Sequence, residues 1–225
     1  FARTCALRQR VLVPAPSRRL RLVDEEGREI PAAIRARVTA PHYRRWNFDD
    51  GWVNLPEKAV EADIAFTAEL PAMGYRTFFL VPGEAERTYR PAVRRLSRGM
   101  ANAWVRVTIH PDGTFTLVDK RNGVRYPGLN RVRDQGDAGD LYLSHLLKEG
   151  AVSPSRQDGR IRCVEALPNR VTFEVKLTLP RVPVTVTAGR TRRSRRTAPL
   201  RLRFLYTLYS HSPAVYVRAE LSLIH

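Results

Sequence analysis

The sequence predicts an all-β chain built as two successive antiparallel sandwiches, and three observations carry that expectation. Apolar residues recur at every second position in several runs, among them Val105, Val107, Ile109 and Val171, Phe173, Val175, Leu177, Leu179. That is the period of a strand with one face on a core and one in water. Turn-forming residues punctuate these runs, as in Pro111-Asp112-Gly113 and Asn122-Gly123. Helical spacing is scarce: only Glu57 to Asp63 and Leu143 to Glu149 suit a helix, and both fall short of the ~12 residues an isolated helix needs. Long strands joined by turns imply sheets packed face to face. A chain of 225 residues with 43% hydrophobic content can bury one large core or two smaller ones.

From the N-terminus, Leu20 to Val23 reads as a strand, Asp24-Glu25-Glu26-Gly27 as a turn and Glu29-Ile30-Pro31 as the return. Ile64 to Ala68 and Tyr75 to Val81 add two strands, closed by Pro82-Gly83. The polar, proline-bearing stretch 84–98 marks a boundary, which gives a small β-sandwich domain over residues 1–90 and a larger β-sandwich over 91–225. The second opens with a meander. Val105 to Ile109 turns at Pro111-Asp112-Gly113 into Phe115 and Leu117. Asn122-Gly123, a pair favoured in two-residue hairpin turns, then leads into Val124, Arg125 and Tyr126. Later strands are Val171 to Leu179, Val182 to Val186, Leu200 to Leu208 and Val215 to Leu223, the last two joined through His211-Ser212-Pro213.

The meander runs into a polar segment, Asp134 to Tyr142, with Asp137, Asp140, Gly136 and Gly139 and little apolar content. Asp and Gly tolerate turn geometry, so a tight loop is the plain reading. The order Asn102, Asp112-Gly113, Asp119-Lys120, then Gly136 to Tyr142 resembles glycoside hydrolase family 38, the α-mannosidases. The upstream piece Leu70-Pro71-Ala72-Met73-Gly74-Tyr75-Arg76-Thr77-Phe78 resembles a strand of the small β domain that precedes this region in the family. Two motifs in the right order, about thirty residues apart, are more specific than either alone. The likeness runs over roughly residues 10 to 225.

The resemblance implies a retaining glycosidase in which two carboxylates act as nucleophile and acid/base while a zinc ion holds sugar hydroxyls, all on an N-terminal β/α barrel. It implies that residues 91–225 are the N-terminal part of a large, galactose-mutarotase-like C-terminal sandwich, and that the whole is the C-terminal β region of a mannosidase. Relatives also act on mannosylglycerate-type substrates. No barrel pattern and no His-x-Asp pair occur here, and His42, His110, His145, His211 and His225 are scattered. No catalytic residue and no metal ligand is therefore expected in this chain. Zinc is expected in the missing catalytic domain, which would be a partner together with a mannose-containing carbohydrate. Tyr142 matches a family tyrosine that reaches into the active site and hydrogen-bonds the sugar, and Asp137 and Asp140 match the loop that holds it. The pattern departs at Leu141, where bacterial relatives commonly have Glu, and at Ser144, where they often have a second Tyr. The start at Phe1 and the stop within a strand-like run read as an excised fragment, expected to be inactive alone.

The net charge of +17 would ordinarily point to a polyanion. Of the 39 basic residues only Lys58, Lys120, Lys148 and Lys176 are lysine, and the arginines are spread along the chain. The one dense cluster, Arg190, Arg192, Arg193, Arg195 and Arg196, contains no aromatic residue on which a base could stack. It reads as a solvated hairpin loop, and specific nucleic-acid binding is not expected. Tyr43, Trp46, Phe48 and Trp52 form an aromatic cluster that either packs on the sandwich or stacks on sugars. The alternative function is accordingly a non-catalytic β-sandwich that binds carbohydrate or polyanion. No apolar run approaches the ~20 residues of a membrane span, no signal peptide is apparent, and two cysteines, Cys5 and Cys163, make no disulfide framework. Thiols in a reducing, cytoplasmic compartment and no membrane partner are expected.

Overall fold

A computed structural model describes residues 3–14, 18–38, 44–47, 49, 51–54, 59–85, 90–147, 151–154, 159–181, 184–187, 190–193 and 198–222. Every regular element among the described residues is a strand, so the chain is all-β. It divides into two compact units, the first comprising residues 1–93 with 167–170 and 209–211, and the second the remainder.

The first unit contains β1 (Arg3–Pro14), β2 (Leu20–Val23), β3 (Glu29–Ile30), β4 (Ala32–Val38), β5 (Arg44–Asn47), β6 (Gly51–Asn54), β7 (Ala59–Leu70) and β8 (Phe79–Pro82). One sheet runs β1-β7-β4 and another β3-β2-β8, with β5 and β6 as a separate hairpin. Val60, Ala62, Ile64, Phe66 and Ala68 of β7 share a core with Leu20 and Leu22 of β2. The segment 59–63, expected as a helix, is the start of β7. Its acidic residues made the run look helical, but they are the wet face of a central strand. Glu61 and Asp63 are paired by Arg37 at 2.5 Å and Arg8 at 2.8 Å from the flanking strands.

The strand expected over 75–81 is confined to β8. Residues 71–78 are irregular because Phe78 turns into the core, its ring 5.0 Å from that of Phe66, while the Thr77 N–H donates to Glu25 at 2.9 Å. The turn after β2 forms as expected: the Gly27 N–H donates to the Asp24 carbonyl at 3.0 Å, with Gly27 at a φ of 76°. In the aromatic cluster Trp46 pairs with Trp52 across β5 and β6. The side chains of both, and all of Tyr43 and Phe48, lie outside the described residues.

The second unit contains β9 (Arg94–Leu96), β10 (Gly99–Ala101), β11 (Val105–Ile109), β12 (Phe115–Asp119), β13 (Arg125–Leu129), β14 (Arg160–Leu167), β15 (Arg170–Arg181), β16 (Val184–Thr187), β17 (Arg190–Arg193), β18 (Ala198–Tyr209) and β19 (Val215–Ser222). A five-stranded sheet, β13-β12-β11-β10-β9, faces a four-stranded sheet, β14-β15-β18-β19. Val105, Val107 and Ile109 are buried, as are the alternate residues Val171 to Leu179 and Leu202 to Leu208, and the rings of Phe115 and Tyr206 lie 5.7 Å apart between the sheets.

Three expectations change here. The β12–β13 connection is longer than a two-residue turn: the Asp119 N–H donates to the Val124 carbonyl at 2.9 Å, and only Gly123, with a φ of 73°, takes the left-handed conformation. Residues 143–147 form no helix, because the Leu143, His145 and Leu147 amides bond to other parts of the loop described below. Three of the five clustered arginines, Arg190, Arg192 and Arg193, lie in strand β17 paired with β16 rather than in a loop. Arg195, Arg196 and Val182 lie outside the described residues.

Candidate functional site

The segment 134–147 leaves the five-stranded sheet after β13 and folds back on itself as an irregular hairpin. Asp134 and Val152 exchange backbone hydrogen bonds at 2.8 Å, closing its base. Further out, the Leu147 N–H donates to the Gly136 carbonyl and the Ala138 N–H to the His145 carbonyl, both at 2.8 Å. At the tip the Asp140 N–H donates to the Leu143 carbonyl at 2.9 Å. Gly139 sits where the two arms nearly touch: a Cβ there would lie 1.9 Å from the Leu143 carbonyl oxygen, so no other residue fits without moving the backbone.

The two aspartates complete this skeleton. Asp137 accepts from the Gly139 N–H at 2.8 Å, the His145 N–H at 2.7 Å and the Ser144 hydroxyl at 2.6 Å. Asp140 accepts from the Tyr142 and Leu143 N–H groups, each at 2.8 Å. Both carboxyls are held below their usual range, Asp137 first by the Ser144 hydroxyl and then by the backbone amides, Asp140 by the amides of Tyr142 and Leu143. A carboxylate accepting several N–H bonds is favoured in its charged form. Ser144 and Gln135, whose amide donates to the Leu147 carbonyl at 2.6 Å, are parts of the loop that sequence reasoning did not assign. Loop-spanning partners leave no local signal in a sequence.

The tip itself is bare. Leu141 is 97% exposed and Tyr142 91%, and Leu143 and Leu146 are also largely in solvent. His145 is exposed, whereas His211 is half-buried beside the Tyr209 ring, its burial pushing the imidazole pKa down. A second exposed apolar tip lies in the first unit, where Met73, at a φ of 54°, and Tyr75 stand in solvent.

The other motif residues sit differently. Asn102 is buried and accepts from the Trp104 and Val105 N–H groups at 3.0 Å while donating to the Ser212 carbonyl at 2.7 Å. Asp112 accepts from the Thr114 N–H at 2.9 Å and hydroxyl at 2.7 Å. Gly113 has a φ of 78°, and its carbonyl accepts from the Tyr206 hydroxyl and from Asn130 at 3.1 Å. Asp119 and Lys120 do not pair with each other. Asp119 takes Arg121, whose guanidinium holds its carboxyl at about 2, and Lys120 donates to the Asn102 carbonyl. These residues build turns around a core. Among the described residues, no group of three His, Cys, Asp or Glu side chains is placed to hold a metal ion.

The chain shares its fold with a protein of glycosyl hydrolase family 38 from Enterococcus faecalis, at a TM-score of 0.66 and 16% identity, over 96% of this chain and 29% of that one. An alpha-mannosidase from Enterococcus faecalis V583 matches with a TM-score of 0.62 and 17% identity, over 97% of this chain and 28% of that one. In sequence, a protein of Halalkalibacterium halodurans named "Putative mannosylglycerate hydrolase" is 28% identical over 147 residues, which is 60% of this chain and 16% of that protein. No family model matches the chain. The resemblance to family 38 carried by the two motifs is thus met by structural neighbours from that family, and the chain spans less than a third of the length of each of these three proteins.

Proposed function

We propose that this chain is the β region of a retaining α-mannosidase-type glycoside hydrolase and that it completes a substrate site whose catalytic barrel lies outside it. The observation that carries the reading is the tip of the 134–147 loop: Tyr142 stands 91% exposed on a backbone pinned by Gly139, Asp137 and Asp140. Asp140 binds the amide of Tyr142 itself. A side chain exposed to solvent and fixed at its backbone is placed to meet a ligand presented by another domain. The family 38 neighbours and the mannosylglycerate hydrolase-like relative supply the substrate class, a mannose-containing carbohydrate.

In this role Tyr142 contributes a hydroxyl to a sugar hydroxyl, worth on the order of 0.5 to 1.5 kcal/mol net. Asp137 and Asp140 are positioning residues that act through the loop backbone. The chemistry is left to carboxylates on the barrel. On this reading a zinc ion that holds sugar hydroxyls would be ligated by the catalytic barrel. The working compartment that goes with this reading is the cytoplasm.

The test is activity of the purified chain against an aryl α-mannoside, with and without added zinc, beside a longer polypeptide that includes the upstream region. Turnover by the longer protein alone is the expected outcome. Zinc-stimulated turnover by this chain would overturn the assignment.

A further inference from the structure

The outer face of the four-stranded sheet carries a groove of about 570 Å³, and its lining is strongly cationic. Arg160 of β14, Lys176 of β15 and Arg201 and Arg203 of β18 line it with Thr178, while Glu220 of β19 is the one carboxylate among its described lining residues. Successive residues on one face of a strand lie ~7 Å apart and neighbouring strands ~5 Å apart, so the four cations form a close array. Arg203 is fixed from below. It donates to the buried Glu174 at 2.6 Å and to Glu220 at 2.7 Å. Burial alone would raise the Glu174 carboxyl, but the Arg203 hydrogen bond and the charges of Lys176, Arg203 and Arg162 hold it below its usual range. Glu174 therefore stays ionised and keeps Arg203 in place.

Lys176 lies 3.7 Å from the same carboxylate, so its charge is partly answered. Arg160 and Arg201 have no carboxylate partner among the described residues. Two guanidiniums aimed at a groove are forks for a planar or tetrahedral oxyanion. Thr178 and Glu220 add a hydroxyl and an acceptor suited to the hydroxyls of a polyol. Among the described residues no aromatic side chain lines the groove, and single-stranded nucleic acid is held chiefly by stacking on such rings.

We infer that this groove is a second binding site, distinct from the Tyr142 tip, for an acidic saccharide whose carboxylate or sulfate groups are taken by Arg160 and Arg201. The inference stands on charge and geometry of this sheet alone and holds whether or not the chain serves a mannosidase.

The full chain is titrated calorimetrically at about 150 mM salt, where long-range surface attraction is screened, with a sulfated hexasaccharide, a uronate hexasaccharide, a neutral mannose hexasaccharide and a single-stranded oligonucleotide. Binding of at least one acidic saccharide and none of the neutral one is expected, the two acidic arms separating sulfate from carboxylate as the source. Arg160→Gln with Arg201→Gln should weaken that binding about tenfold, the scale of two partly exposed ionic contacts. Arg94→Gln with Arg98→Gln, which removes equal charge from exposed positions elsewhere in the unit, should change it by less than about twofold. Melting curves establish that each variant folds, and Arg160→Gln alone, on a different strand, replaces the pair if the pair melts early. Equal losses in both pairs, no acidic saccharide bound, or tighter binding of the oligonucleotide than of either acidic saccharide would overturn the inference.

Discussion

The turn at 110–114 and the loop at 134–147 are made from the same residues, Asp and Gly, yet they end in opposite surroundings. In the first, the Gly113 N–H donates to the His110 carbonyl at 3.1 Å and the Asp112 side chain closes on Thr114. The turn then presses inward: a Cβ on Gly113 would meet Leu177 at 3.0 Å and Phe204 at 3.1 Å. In the second, the aspartates close on backbone amides in the same manner, but the tip faces solvent with Leu141 and Tyr142 bare. Turn chemistry fixes a backbone in both places. Only the surroundings decide whether the fixed backbone serves a core or presents a side chain, so a motif rich in Asp and Gly is no evidence of function until its exposure is known.

The comparison breaks first at the two glycines. Gly113→Ala places a side chain on a left-handed backbone and into a filled core, and should destabilise the chain by about 2 to 4 kcal/mol. That corresponds to a melting temperature lower by roughly 2 to 4 °C per kcal/mol for a chain of this size. Gly139→Ala meets a harder clash, 1.9 Å from the Leu143 oxygen, but the exposed loop can open locally, which caps the global loss at about 1 kcal/mol. Its signature is faster hydrogen exchange at Tyr142, Leu143 and His145 with a nearly unchanged melting curve. Equal global losses from the two variants would show that the loop belongs to the core after all.

What the sequence made legible follows from the same distinction. Strict alternation marked β11, β15 and β18, because each has one buried and one wet face. Strand β1 went unseen, since its arginines Arg8 and Arg10 sit among apolar residues and are explained only by Asp63 and Glu61 on β7, more than fifty positions away. The same non-local pairing hid the start of β7 and suggested a helix. At the site, Asp137, Asp140 and Tyr142 were picked out by resemblance to a family, and the geometry places all three in one loop. The contributions of Ser144 and Gln135 were not legible, because both depend on how the arms of the loop meet.

A smaller effect sharpens the comparison through pH. Asp119, Asp137 and Asp140 all have folded pKa values below the ordinary carboxylate range. Groups depressed in this way contribute stability above their unfolded pKa of ~3.9 and lose it as pH falls through the folded value. For Asp119 that window runs from about 4 down to about 2. Acidification over this range should lower the urea midpoint through Asp119, and Asp119→Asn should flatten that part of the profile. Protonation of Asp137 and Asp140 should instead speed amide exchange at Gly139, Tyr142, Leu143 and His145 with little change in the midpoint. A midpoint that falls just as steeply in Asp119→Asn would contradict the assignment.

The proposal made for the loop is that it presents the Tyr142 hydroxyl to a mannoside. It is tested most directly by steady-state kinetics of Tyr142→Phe in a polypeptide that joins this chain to the proposed catalytic barrel, with the melting temperature measured alongside. The account predicts kcat/KM lower by about tenfold, or ~1.4 kcal/mol, at an unchanged melting temperature. A fall in kcat as well would mark a contact made in the transition state, and a rise in KM alone uniform binding. Kinetics identical to those of the unsubstituted polypeptide, with Tyr142→Ala doing no more than loosening the loop, would show the hydroxyl to be idle and contradict the proposal.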